Sequence, residues 1–480
     1  MSNARVILIA SAIGFGLPAA AGAQSNTDLD QIRNELRELK ESYESRIQAL
    51  EKRLKEAEDA AAKAQTAASQ AQTSAAQAQQ SAQAASAATA PTPPSGGAGA
   101  NAFNPAISLI LDGTYRNYSQ DPNTRSVTGF LPQGSVGLLD RGFNLDESEL
   151  TLSANVDHVF YAQATLAVDN GSELDTEEAF FSTTALGHGL TLKGGRFFSS
   201  VGYWNSQHPH AWDFVDPSLV QNAFLGPNLG MDAVQASWIA PLPVFLELGA
   251  EGGRPVDFPS AESDHNKNGI SGGTLFAHLG GDIGDSGSYR VGGWYLQSGN
   301  RVSNASLLDL DETTGASNLF SGGDTKVWGL DVVYKWAPEG NPTDRNFKLA
   351  AEWMQRRIDG VLTYDATSKL AVGPVTDALV VKQSGWYIQG TYQFVPAWRA
   401  GLRYDQLQPG SYDPGPGLAG LLAPPDFTPK RYSAMVDWNP SEFSRIRLQY
   451  NLDRSQLGIT DNQVMLQYIF SLGSHGAHKF

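Results

Sequence analysis

From Phe103 to the end of the chain, apolar and polar residues alternate with a period of two. Glu149–Val156, Phe160–Val168, Trp386–Phe394 and Val464–Phe470 each carry apolar side chains on one face and polar ones on the other. Aromatic residues gather at the ends of these runs. One apolar and one wet face, strand after strand, predicts an all-β transmembrane barrel. A soluble sandwich would instead bury two apolar layers, with turns at short, even spacing. About 16 antiparallel strands are predicted, starting near Ala106, Asn144, Val159, Leu174, Gly189, Gly230, Pro243, Gly273, Ser288, Thr325, Asn346, Leu379, Ala397, Lys430, Glu442 and Gln463. Short turns are predicted at Asp157-His158, Ala185–His188, Ala240-Pro241, Gly284–Gly287, Val395-Pro396 and Asn439–Ser441, with a longer one at Ala337–Thr343. The other connections are mostly long and rich in Gly, Pro, Asn and Asp. Short turns at one end, long loops at the other and an even strand count place both termini on the periplasmic side.

The residues ahead of the barrel follow other patterns. Residues 1–23 read as a signal peptide, with Arg5, the apolar stretch Val6–Leu17 and Ala21-Gly22-Ala23 before Gln24. Residues 24–59 read as an α-helical coiled coil, because Leu29, Ile32, Leu36, Leu39 and Tyr43 alternate in threes and fours. Ile47, Leu50 and Leu54 resume that rhythm after a stutter. Arg46-Ile47-Gln48-Ala49-Leu50-Glu51 suits a homotrimer, the arginine stem covering the seam; a dimer is the alternative. Residues 60–101 form an Ala/Gln/Ser-rich spacer and a Pro/Gly linker, and the barrel takes 102–480. The expected location is the Gram-negative outer membrane, with the coiled coil in the periplasm and reaching toward the cell wall. Outer-membrane lipid and the barrel assembly machinery are the expected partners.

Composition removes several classes. The 480 residues include no Cys, which excludes a disulfide scaffold, a Cys-ligated metal and a thiol nucleophile. A net charge of −16 excludes a nucleic-acid-wrapping surface. No H-E-x-x-H helix or nucleophile elbow is expected, so the chain does not read as an enzyme.

Alternation assigns Lys348, Glu352, Arg356, Arg399, Arg403, Asp405, Asp437, Arg445 and Arg447 to the lumen as pore-lining residues. Two readings stay open. The cations set up a field across a constriction, or Asp405 and Asp437 neutralise them. Ser199–Pro217 is the third loop, which by fold analogy narrows the lumen, with Trp204, Trp212 and Phe214 packing on the inner wall. His208 and His210, two apart in an extended segment, with Asp213 and Asp216, make a weak site for transient zinc; His475 and His478 make a second. The plainer alternative is that His208 and His210 hydrogen-bond within a packed loop. No cofactor is required.

Phe103–Leu111, Glu149–Asp157, Gly189–Phe198, Gln207–Asp216 and Ser474–Phe480 carry a family resemblance. The chain resembles porin-like Gram-negative outer-membrane proteins described as zinc-regulated, TonB-dependent receptors. More loosely it is similar to phosphate-selective-type porins with an N-terminal coiled coil. The resemblance implies outer-membrane uptake linked to zinc. Two functional classes are carried forward: a channel for small solutes, divalent metal included, and a structural tether acting through the coiled coil.

Overall fold

The computed structural model describes residues 105–130, 140–168, 174–256, 268–299, 305–307, 318–422 and 424–473, together with Lys52 and Lys55, which are helical. Apart from these two lysines, the signal peptide, coiled coil, spacer and linker expected over 1–101 lie outside the described residues, as do His475 and His478.

Among the described residues, one antiparallel sheet contains every strand. Its first half comprises β1 (Ala106–Tyr118), β2 (Gly142–Leu145), β3 (Ser148–Asn155), β4 (Phe160–Val168), β5 (Leu174–Thr183), β6 (Leu190–Phe198), β7 (Gly230–Ile239), β8 (Phe245–Pro255) and β9 (Gly272–Ile283). The second half comprises β10 (Gly287–Ser298), β11 (Ala305–Leu307), β12 (Asn318–Trp336), β13 (Asn346–Tyr364), β14 (Val375–Val395), β15 (Trp398–Pro414), β16 (Lys430–Ser441), β17 (Ser444–Arg454) and β18 (Asp461–Gly473). β2 and β3 are two pieces of one line, since both pair with β1. β11 pairs only with the start of β12, as an extension of the β10 line. Sixteen spanning lines remain. β1 pairs with β18 from Ser108↔Gly473 to Tyr118↔Gln463, which closes the barrel and leaves no exposed edge.

Every predicted strand is present. The tight turns collect at one end, where the connections run 156–159, 184–189, 240–244, 284–286, 337–345, 396–397 and 442–443. The turn expected at Asn439–Ser441 falls slightly later, because pairing continues to Ser441↔Ser444. Long loops occupy the other end.

The outer surface is apolar. Leu402 is 70% exposed and Leu330 59%, values that in water would be a liability and in lipid are the basis of stability. Aromatic pairs rim this band: Trp398–Trp438 and Phe160–Phe181 at the turn end, Tyr115–Phe143, Tyr295–Trp328 and Trp386–Tyr404 toward the loop end. Inward positions carry the charge instead. Arg356, Asp405, Asp437 and Arg447 are fully buried.

The loop over 199–229 packs against the inner wall. It contains a helix, Leu219–Leu225, whose N-terminus is capped by the Ser218 hydroxyl accepting from the Gln221 amide and whose end is turned by Gly226 at φ 72°. Six of its seven residues are buried. Leu219, Val220, Phe224 and Leu225 join Met354, Tyr387 and Leu407 of the wall in one apolar cluster. Gly385 on β14 makes room for this contact. A Cβ there would stand 2.9 Å from Val220 Cγ2 and collide with Leu407.

Candidate functional site: a loop clamped across a charged lumen

The wall over β13–β17 presents Lys348, Arg399, Arg403, Arg431, Arg445 and Arg447 to the interior, with Asp405 and Asp437 between them. Two loop carboxylates meet this wall. Asp213 accepts from Lys348 Nζ at 2.8 Å, Arg399 Nη1 at 2.9 Å and Gln389 Nε2 at 3.0 Å. Asp216 accepts from Arg403 and Arg431, each at 2.7 Å, and from Gln449 at 2.7 Å and Asn451 at 2.8 Å. Asp437 pairs with Arg447 at 2.7 Å and Arg399 at 2.5 Å, and Asp405 with Arg403 at 3.0 Å. Burial opposes ionisation of Asp213 and Asp216. The cations outweigh it, Lys348 and Arg399 for the first and Arg431 and Arg403 for the second, and hold both carboxyls below the usual range.

Of the two sequence readings of the cationic wall, the structure therefore has most of the charges paired, and with loop acids as well as wall acids. Arg356 donates to the Ala223 carbonyl at 2.7 Å and Gln383 Oε1 at 2.6 Å, so it holds the helix rather than standing free in the lumen. Arg445 donates to neutral oxygens, Asn439 Oδ1 at 3.2 Å and the His210 carbonyl at 3.1 Å. The loop aromatics lie against the same wall. Lys348 Nζ is 4.6 Å from the Trp204 ring and the Arg403 guanidinium 4.6 Å from the Phe214 ring, while Trp212 donates to the Gln207 carbonyl at 3.0 Å.

The histidines face the acids of β3 and β5 instead, which corrects the expected grouping of His208, His210, Asp213 and Asp216. Pro209–Ala211 form a 3-10 turn, and beyond it the aspartates are taken up by the cations described above. His208 Nδ1 lies 2.8 Å from Glu177 and 3.2 Å from Glu149, and its Nε2 is 3.1 Å from Glu178. His210 Nδ1 is 2.7 Å from Glu149. Burial opposes charging of His208, but Glu149 and Glu177 outweigh it and raise its pKa well above the ordinary value.

Sequence reasoning missed these glutamates because two bulges break the alternation on which it relied. Ile110 pairs with Glu149 and Gly113 with Leu145, so Leu111 and Asp112 oppose the three residues Asp146, Glu147 and Ser148. Thr165 pairs with Glu178 and Leu166 with Thr176, which leaves Glu177 as an extra residue in β5. Each bulge lets consecutive acids turn inward. The doublets Asp146-Glu147 and Glu177-Glu178 were the available signal. Asp331, the cross-strand neighbour of Glu352, was also missed; it is 2% exposed. Gly269-Ile270-Ser271-Gly272-Gly273 has G-x-S-x-G spelling but opens β9 rather than a helix, so it is no nucleophile elbow.

Inward side chains with some exposure, among them Gln163, Lys193, Glu247, Lys348 and Arg399, belong to the turn-end half. In the loop-end half the inward side chains of β1, β12–β15 and β18 are mostly buried, with Val375 and Tyr412 half-buried at the outer ends of β14 and β15. At the turn end the inner wall is thus polar and partly exposed, and beyond it the 199–229 loop packs on the wall.

A closed 16-line barrel with an apolar belt, aromatic rims and a loop folded against its inner wall defines a transmembrane β-barrel of the outer-membrane type. No family model matches the chain. A protein of Aquifex aeolicus (strain VF5), described as uncharacterized, is 33% identical over 405 residues, covering 79% of this chain and 80% of its own length. The chain belongs to that protein's family. Among solved structures, the anion-selective porin of Comamonas acidovorans is similar at TM-score 0.46 and 12% identity, over 77% of this chain and 99% of that one. The outer-membrane channel DcaP of Acinetobacter baumannii gives TM-score 0.44 and 14% identity, over 77% and 96%. The trimer form of OmpT of Vibrio cholerae gives 0.44 and 9%, over 77% and 99%. Plugged TonB-dependent receptors use barrels of about 22 strands, so the receptor description carried by the sequence resemblance does not fit sixteen.

Proposed function

We propose that this protein is an outer-membrane channel for small hydrophilic solutes, with its turns and both termini in the periplasm and the 199–229 loop as its constriction. The observation that carries the reading is the clamp. Asp213 and Asp216 hold the loop against one wall through Lys348, Arg399, Arg403 and Arg431, a fixed narrowing inside a barrel whose inner wall at the turn end is polar. Lys348, Arg356, Arg399, Arg403, Arg445, Arg447, Asp405 and Asp437 are the residues proposed to shape the path. A homotrimer is proposed from the seam in residues 24–59. Divalent metal such as zinc is proposed among the solutes, since a permeant cation reaching the loop would meet His208 and His210.

One observation favours the second reading, a non-conducting tether. The inward side chains of much of the loop-end half are buried, as in a filled barrel. Planar-bilayer recording on the purified protein decides between them. Discrete steps are expected, and their absence under conditions where the barrel inserts would leave the tether.

A further inference from the structure

The two bulges bring together side chains from three separate segments. Glu147 and Glu149 come from the β2–β3 line, Glu177 from β5 and His208 from the loop, and one ligand atom from each lies within 4.8 Å of all the others. Glu147 Oε1 is buried and has no hydrogen-bond partner. The carboxyl groups of Glu149, Glu177 and Glu178 all lie within 3.2 Å of the His208 ring nitrogens.

We propose that Glu147, Glu149, Glu177 and His208 Nδ1 bind one resident divalent transition-metal ion, which fastens the 199–229 loop to the β3–β5 part of the wall. Three carboxylate oxygens and one imidazole suit a borderline cation, Mn2+, Fe2+ or Zn2+, over Ca2+, which takes more oxygens. Glu178 completes the arrangement. It lies 3.1 Å from Nε2, where it accepts that N–H and leaves the lone pair on Nδ1, the carboxylate–histidine–metal relation. Metal–ligand bonds of about 2.1 Å place tetrahedral donors about 3.4 Å apart, so donors up to 4.8 Å apart draw together while His208 Nδ1 and Glu177, at 2.8 Å, move slightly apart on binding. The loop would thereby be held at two places, by cations at Asp213 and Asp216 and by a metal at His208. The site stands independently of the channel reading.

The test uses the full-length, untagged protein in detergent, with Mn2+ as the probe, titrated by loss of the free-ion electron paramagnetic resonance signal. One ion per chain is expected, displaced by Zn2+ and not by equimolar Ca2+. Glu147→Gln/Glu177→Gln should abolish binding while the barrel keeps its heat-modifiable gel mobility. Glu178→Gln, which touches no metal, should weaken binding by about 10- to 100-fold. His475→Ala/His478→Ala should leave it unchanged. No binding by the wild type at millimolar Mn2+, binding by the Glu147→Gln/Glu177→Gln protein equal to wild type, or loss only in the tail variant would each overturn the site. Conductance steps measured on the same preparation keep that result separate from the channel.

Discussion

Replacing Asp216 by Asn tests the clamp most directly. The amide keeps the size of the side chain and an acceptor for Gln449 or Asn451, but removes the charge facing Arg403 and Arg431, which are 4% and 2% exposed. Breaking a buried ion pair costs about 3–5 kcal/mol, because a charge is left without compensation. Asp405 still holds Arg403 at 3.0 Å and Arg431 at 3.4 Å, so the low end applies, about 3 kcal/mol. At 1.36 kcal/mol per tenfold, the ratio of docked to undocked loop should fall by about 150-fold. The strand ladders are untouched, so the loss should appear in the loop and not in the barrel. Single-channel recording should show higher mean conductance with rapid flicker, while the midpoint of barrel unfolding in detergent stays near wild type. The pH dependence has a fixed sign. The folded-state pKa of Asp216 is depressed, so its contribution is present above the ordinary carboxyl pKa and is lost as pH falls through the lower folded value. Wild-type conductance should therefore be flat from pH 7 to about 4 and rise only below that. An Asp216→Asn channel with wild-type conductance, noise and acid response would refute the clamp.

Three further outcomes follow from the packing. Gly385→Val should drive Val220 and Leu407 apart and loosen the Leu219–Leu225 helix by about 1–3 kcal/mol, read as increased protease cleavage within 199–229; unchanged protection would mean the helix is not seated on β14. Leu402→Arg, on the exposed outer face, should cost about 2–4 kcal/mol when folding is measured in lipid vesicles, and a neutral effect would show that this face does not meet lipid. Arg445→Gln removes a cation whose direct partners are neutral oxygens, so the reversal potential in a salt gradient should move toward cation preference, and no movement would exclude Arg445 from the ion path.

What was legible in the sequence and what was not divides along one physical line. Strand positions depend on the period of two, and a one-residue slip flips every side chain, so the alternation around Leu402, Arg403 and Asp405 specified both strand and facing. Asp405 and Asp437 could be placed in the lumen for the same reason. Partner choice inside the lumen obeys no such period. Asp213 and Asp216 lie three and six residues beyond His210, yet the chain between carries them to the arginine wall while His208 turns to glutamates about 30 residues earlier, Glu177 and Glu178. A loop is free to choose the wall whose charge complements each side chain. Here acids went to cations and imidazoles to acids, a sorting that Coulomb attraction between buried groups enforces strongly. The glutamates themselves were hidden for a second reason: Glu147 and Glu177 occupy the places where the ladder gains a residue, and a bulge is invisible to any reading that assumes strict alternation. Two such irregularities on neighbouring parts of one wall, each doubling an inward acid and both meeting the same imidazole, are a costly arrangement for a barrel that needs only to close. Their cost is compensated if the charge they gather holds a cation against the loop.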